Sequence, residues 1–274
     1  MTTIQEKGTA FRALHAQDTA FIIPNPWDLG SARMLAHMGF KALATTSAGF
    51  AFSAGRSDGA MTREETLTHA EQLAAATGLP VSVDFGDCFG DRAEAVTETI
   101  RRAGVSKLVG GSVEDVPSRG DARAPYEISH AADRVRAAVV AARALPFPFT
   151  LTARAENFIV GRPDLKDTIA RLQAFQDAGA DVLYAPGLRT REEIETVVHA
   201  VNKPVNVLAG IPGMTFTLAD FSAMGVKRVS VGSLLSRAAY GALLRAGREM
   251  SEHGSFAYSD DAPPLRDVAA ALGK

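Results

Sequence analysis

Eight short apolar runs, each followed by a longer segment with helical periodicity, limit most strongly what this chain can become. They occupy residues 20–24, 42–47, 80–84, 107–114, 147–154, 181–185, 204–208 and 227–231. Each is apolar along nearly its whole length rather than at alternate positions. A strand reads that way when helices cover one face and a packed interior the other. Between the runs, Ala95, Val96, Ile100 and Ala103 recur at helical spacing, as do Ile169, Leu172, Phe175 and Ala178. Thr62 with Glu65, and Thr190 with Glu193, have the form of a capping box. Gly39, Gly78, Gly104, Gly179 and Gly225 stand where left-handed helix stops are expected before the next strand. Eight βα units predict an α/β protein folded as a (β/α)₈ TIM barrel. An open doubly wound sheet is the alternative, but Asn25-Pro26-Trp27-Asp28 after the first run lacks its glycine-rich fingerprint. The 274 residues fit one such barrel. The reading takes 1–274 as a single domain, with a helix over 236–249 and with 250–274 as a linker and helical arm.

Composition then removes several classes of function. Hydrophobic residues make up 46% and charged residues 22%, so a sizeable core can form and disorder is excluded. A net charge of −2 without a basic stripe argues against nucleic acid as a partner. The single cysteine, Cys88, rules out a disulfide framework and a Cys-based zinc site, and suits a reducing cytoplasm. The first residues lack the apolar core of a signal peptide, and no apolar run is long enough to span a membrane.

The connections show which end of a barrel would work. Helix-to-strand turns are short, whereas the strand-to-helix connections 48–61 and 115–130 are long and rich in Gly, Ser, Asp, Arg and Pro. Barrel active sites are built from such βα loops at the C-terminal ends of the strands. There the third run ends in Asp84, followed by Asp87, and the fourth ends in Glu114-Asp115. Neighbouring strands lie about 4.8 Å apart, so acids on adjacent strand ends repel unless a cation or proton intervenes. Oxygen ligands of this kind suit Mg²⁺, with Mn²⁺ as a substitute. Asp91, just ahead of a helix, reads as a cap. Arg154 ends the fifth run and offers a rigid fork for a carboxylate. Ser47-Ala48-Gly49 after the second run are small enough for backbone amides to approach an anion. Lys41, Lys107, Lys203 and Lys227 stand at strand starts, on the opposite face, which disfavours a Schiff-base mechanism. The histidines do not cluster; His37, His69 and His199 fall in helices, and His130 ends the fourth loop, within reach of the site.

Taken together and in this order, Thr46-Ser47-Ala48-Gly49, Asp84 with its glycine-rich continuation, Val113-Glu114-Asp115 and Thr152-Ala153-Arg154-Ala155-Glu156 resemble the isocitrate lyase/phosphoenolpyruvate mutase superfamily over residues 20–248. The resemblance implies a Mg²⁺-dependent barrel acting on small α-oxo acids through an enolate. It also implies a homotetramer, a dimer of dimers that exchange their last helix. By position, Asp84, Asp87 and Glu114 would organise the metal and Asp58 would be the second-loop acid near it. Ser47, Ala48 and Gly49 would hold the carboxylate or oxo group, and Arg154 would bind the anionic end. Ser47, Asp58 and Arg154 are thus the catalytic candidates. The chain departs from the family at three places. Gly86 stands where a second acid is common. The lid Val116-Pro117-Ser118-Arg119-Gly120-Asp121-Ala122-Arg123-Ala124-Pro125 has neither the lyase cysteine nor the mutase Lys and Asn. Leu208-Ala209-Gly210-Ile211-Pro212-Gly213-Met214 lacks the lyases' polar stretch. These departures exclude a true isocitrate lyase and leave cleavage of a C–C bond in an oxaloacetate-like acid. The alternatives are a phosphonopyruvate-type C–P mutase or hydrolase, and a degenerate barrel that binds a metabolite without turning it over.

Overall fold

The structure is a computed structural model that describes residues 2–118 and 124–273. All eight expected strands form: β1 Phe21–Ile23, β2 Leu43–Ala44, β3 Val81–Asp84, β4 Gly110–Glu114, β5 Thr150–Arg154, β6 Val182–Tyr184, β7 Val205–Leu208 and β8 Arg228–Ser230. They are parallel and ordered β1-β8-β7-β6-β5-β4-β3-β2, so neighbours in sequence are neighbours in space. The seam between β1 and β2 is crossed by the Ala44 amide, which donates to the Pro24 carbonyl at 3.1 Å. Asn25 ties the same corner: its side-chain nitrogen donates to the Thr45 carbonyl at 3.0 Å, and its oxygen accepts from the Val231 and Gly232 amides at 2.9 Å each. The result is the (β/α)₈ barrel, nearly closed, with helices alternating around it.

Two strands start later than the apolar runs suggest. Lys107 takes a left-handed backbone, φ 57°, so β4 begins only at Gly110. Pro148 has no amide to donate, and β5 begins at Thr150. The capping boxes are present on α4 (Arg63–Thr77) and α8 (Arg191–Ala200). Gly78 closes α4 at φ 70°. Gly104 behaves otherwise: it lies inside α5 (Ala93–Val105), where a Cβ would come within 2.3 Å of Leu145. Close packing, not a helix stop, explains that glycine.

Helix α1 (Ile4–His15) closes the floor of the barrel. Its Phe11 is fully buried, and Arg12 donates to the Phe149 carbonyl at 3.2 Å, just ahead of β5. The connection 48–61 is not all loop, because α3 (Ser47–Ser53) fills its first half, capped by Thr46. Helix α10 (Leu234–His253) is longer than the expected 236–249, and Ser236 is its one buried residue; Leu243 and Leu244 remain 64% and 57% exposed. A short 3₁₀ turn (Ala257–Asp261) and α11 (Leu265–Ala271) follow, and α11 lies against α2 (Leu29–His37). Among the described residues no helix is long and apolar enough to cross a membrane.

His69 on α4 supports α3 from behind. Its ring stacks on Phe50, centroids 3.8 Å apart, and burial lowers its pKa from 6.5 to about 4. An imidazole kept neutral in the fold but free to protonate in the unfolded chain favours unfolding as pH falls. His69→Phe keeps a stacked ring and removes the titration. Between pH ~6.5 and ~4 the wild type should therefore lose up to about 3 kcal/mol of stability relative to the variant. Urea unfolding at several pH values checks this; a pH-independent difference would contradict it.

Candidate active site

The ends of β3, β4 and β5 meet at one rim. Glu114 and Arg154 are partners in the β4–β5 register, and Asp84 pairs with Ser112 across β3–β4. Arg154 Nη1 donates to Asp84 Oδ1 and Glu114 Oε1 at 3.0 Å each, and its Nε donates to Glu156 Oε1 at 2.7 Å. The guanidinium thus stands between the two strand-end acids, not across from them, because β5 adjoins β4 and its long side chain reaches over Ser112. Burial opposes its charge, but Glu114, Glu156 and Asp84 outweigh that and hold its pKa well above the ordinary arginine value. The Tyr184 ring lies beneath it at 4.9 Å.

The other expected residues fall into two groups. Ser47, Ala48, Asp58 and Asp87 line the same cavity, of about 780 Å³, as Asp84, Glu114 and Arg154. The Ser47 amide donates to Asp84 Oδ2 at 3.1 Å, so Asp84 is gripped on both oxygens. Gly49 sits behind the wall: its amide donates to Thr46 Oγ1 at 3.2 Å, and a Cβ there would lie 2.6 Å from Thr46 and 3.0 Å from Trp27. Asp87 accepts from the Phe89 and Ser118 amides at 2.9 Å each, and Ser118 Oγ accepts from its amide at 3.1 Å. Its carboxylate therefore braces the start of the fourth loop. The departure at Gly86 has the same cause: with φ 57°, a Cβ there would meet Ser118 Oγ at 2.7 Å. Asp91 is not a helix cap; Arg92 holds that place, and Asp91 accepts from the Tyr126 hydroxyl. His130 lies on α6 (Ile128–Arg143), is exposed and meets the Asp91 carbonyl at 3.0 Å, outside the cavity. The lid residues Arg119 and Arg123 lie outside the described residues.

Sequence reasoning missed what holds this rim. Arg134 on α6 is fully buried and donates to the carbonyls of Glu114 at 2.7 Å and Gly90 at 3.1 Å, and to that of Asp87. Its ring partner is Tyr126, at 4.7 Å. Cys88 and Phe89 both adopt positive φ, 60° and 66°, which bulky side chains resist by roughly 1–2 kcal/mol each. Arg134 and the Thr99 hydroxyl, which donates to the Cys88 carbonyl at 2.9 Å, hold that turn in place. Asp115 faces away from the cavity toward Arg171 at 3.1 Å, and burial raises its pKa to about 6. The signal for Arg134 was an arginine on an otherwise apolar helical face, among Ala131, Ala132, Val135 and Ala138.

The donors at the rim are all oxygen. Cys88 is buried, and burial pushes its thiol well above the ordinary range. Among the described residues no three His, Cys, Asp or Glu side chains form a ready-made metal cage. Mg²⁺ commonly takes one or two carboxylates and completes its shell with water and substrate. Asp84 and Glu114 fit that demand.

The family model of phosphoenolpyruvate phosphomutase matches residues 11–251. The chain belongs to the isocitrate lyase/phosphoenolpyruvate mutase superfamily. Within this superfamily it is similar to a Burkholderia cenocepacia protein assigned provisionally as a lyase/mutase. That crystal structure is 54% identical, covers 99% of this chain and 97% of its own, and superposes with a TM-score of 0.95. The oxaloacetate decarboxylase of Pseudomonas savastanoi pv. phaseolicola is 28% identical over 88% of this chain and 82% of that protein. A structure of oxaloacetate acetylhydrolase with its product oxalate is 25% identical, with a TM-score of 0.88 over 100% of this chain and 96% of that one.

Arg134→Met should cost about 2–5 kcal/mol, because it leaves three buried carbonyls without a donor. Amide hydrogen exchange at Phe89 and Ser118 should accelerate with it. Stability within about 0.5 kcal/mol of wild type would contradict the clamp.

Proposed function

We propose that this superfamily barrel is a divalent-cation-dependent lyase or hydrolase that cleaves a C–C bond in a small α-oxo acid of the oxaloacetate type. The observation that carries the reading is the meeting of Asp84, Glu114 and Arg154 at the C-terminal rim, above a cavity large enough for such a molecule. Two relatives named for oxaloacetate chemistry support the choice of acid.

Asp84 and Glu114 would hold Mg²⁺, or Mn²⁺ in its place, with Asp58 the further acid on that rim. When bound, the cation supplies electrostatic stabilisation for charge that develops on the keto oxygen as the C–C electrons move toward it. Ser47 and Ala48 present the second-loop wall to the carboxylate end. Arg154 keeps the two acids apart and fixed, and offers its remaining N–H groups to the substrate. Tyr184, its pKa raised to about 12 by burial, keeps its phenolic proton; its ring lies against Arg154 and its hydroxyl accepts from Ser230 Oγ at 3.4 Å. Asp87 acts on the loop rather than the reacting atoms, through Ser118.

The exposed apolar side of α10, with Leu243 and Leu244, supports a homotetramer in which this helix packs on a neighbouring subunit. A cytoplasmic enzyme fits the single, buried thiol.

Turnover of oxaloacetate and related acids, followed by NMR, tests the function. EDTA should abolish it and Mg²⁺ restore it, and Asp84→Asn and Arg154→Met should each lower kcat by about 10²–10³-fold. Undiminished turnover in EDTA, or in either variant, would contradict the assignment. Phosphate release from phosphonopyruvate, with no cleavage of any C–C substrate, would move the same rim to C–P chemistry.

A further inference from the structure

Of the guanidinium groups that line the cavity, those of Arg154 and Arg228 are compensated very differently. Arg154 is met by three carboxylates at the rim. Arg228, at the start of β8 and 5% exposed, is met by neutral groups. Its Nε donates to Asn206 Oδ1 at 2.9 Å and its Nη2 to Thr152 Oγ1 at 3.0 Å, and its Nη1 lies 3.4 Å from His15 Nε2. Burial, and then the charge of Arg228, lower the pKa of His15 to about 3, so that imidazole is neutral. Burying a guanidinium without a counter-charge is costly. The cost is visible in Arg228 itself, whose pKa falls to about 10, chiefly through burial. A guanidinium has five N–H donors, and the three contacts leave two for a ligand.

The surroundings match an anion at this depth. Asn206, Ser230, Ser82 and Thr45 give the cavity floor neutral hydrogen-bonding walls. Thr152 lies two residues before Arg154 on β5, so the hydroxyl that Arg228 holds sits about 6–7 Å below the rim. A dicarboxylate of roughly four to five carbons spans that depth from one carboxylate oxygen to the other. Among the other described residues of the cavity, Arg63 turns to the Thr99 hydroxyl and to the Cys88 and Ala95 carbonyls, and Arg154 is held by its three acids.

We propose that Arg228 is a second anion subsite, at the floor of the cavity, which receives the far carboxylate of a dicarboxylic α-oxo acid whose keto end lies at the Asp84–Glu114 rim. This rests on the reading of the rim as an α-oxo acid site and assigns the residue that meets the far carboxylate. Arg228 is then a specificity-determining residue: it distinguishes acids that carry a second carboxylate from those that end in methyl.

Matched pairs test it by calorimetry on the full chain with Mg²⁺. The acids 2-oxoglutarate and 2-oxovalerate share a five-carbon chain and differ at the far end, carboxylate against methyl. Wild type should prefer the diacid by about tenfold or more. Arg228→Met should reduce that preference to about twofold or less, with the loss falling on 2-oxoglutarate affinity, and Arg228→Lys should keep an intermediate preference. Equal wild-type affinity for the two acids would overturn the subsite alone. So would a preference that survives in Arg228→Met or, if that variant does not fold, is undiminished in Arg228→Lys. If neither acid binds to wild type while oxaloacetate is still turned over, the subsite alone falls; if oxaloacetate is untouched as well, the α-oxo acid reading falls with it.

Discussion

Three carboxylates around one guanidinium, at the open end of a parallel barrel, form the constraint on which the rest of this molecule depends. Such a cluster is costly to assemble, since each charge leaves water. It persists because the strands bring its members together in fixed register: Glu114 beside Arg154, with Asp84 one strand further on. Glu156 lies just beyond β5 and returns to Arg154 Nε, so the guanidinium is fixed along two edges. Glu156 is itself held, through its amide, by Asp115. Once the guanidinium is fixed, so are the directions in which Asp84 and Glu114 can offer their oxygens.

The supporting structure works on backbone rather than on the acids themselves. Arg134 gathers the carbonyls at the ends of two neighbouring βα units and holds a turn with two consecutive left-handed residues, Cys88 and Phe89. That turn aims Asp87 at Ser118, joining the third loop to the base of the fourth. On the other flank, His69 and Phe50 support α3, whose first amide grips Asp84. The rim is therefore held from behind on each side, and the cavity below stays open.

What the sequence made legible follows from periodicity and from charge at strand ends. Near-continuous apolar runs specify buried parallel strands, and the acids and arginine that close three of them can only collect at one mouth. The family resemblance rested on those residues, and the match over 11–251 bears it out. Less legible were features set by side-chain reach. Arg134 and Arg228 look like ordinary basic residues until the fold shows that one is clamped on carbonyls and the other buried among neutral partners. Gly104 has the spacing of a helix stop but serves a close contact with Leu145. Asp87 and Gly86 could not be resolved from spacing, because the deciding atom is the hydroxyl of Ser118, more than thirty residues away.

A divalent cation held at the rim formed by Asp84, Glu114 and Arg154 can be located directly. Crystals grown with Mn²⁺ and measured at its absorption edge test it most directly. One anomalous peak is expected within coordination distance of the Asp84 or Glu114 carboxylate, beside an ordered Arg154. A peak coordinated by other residues, or none at this rim at saturating Mn²⁺, would contradict it.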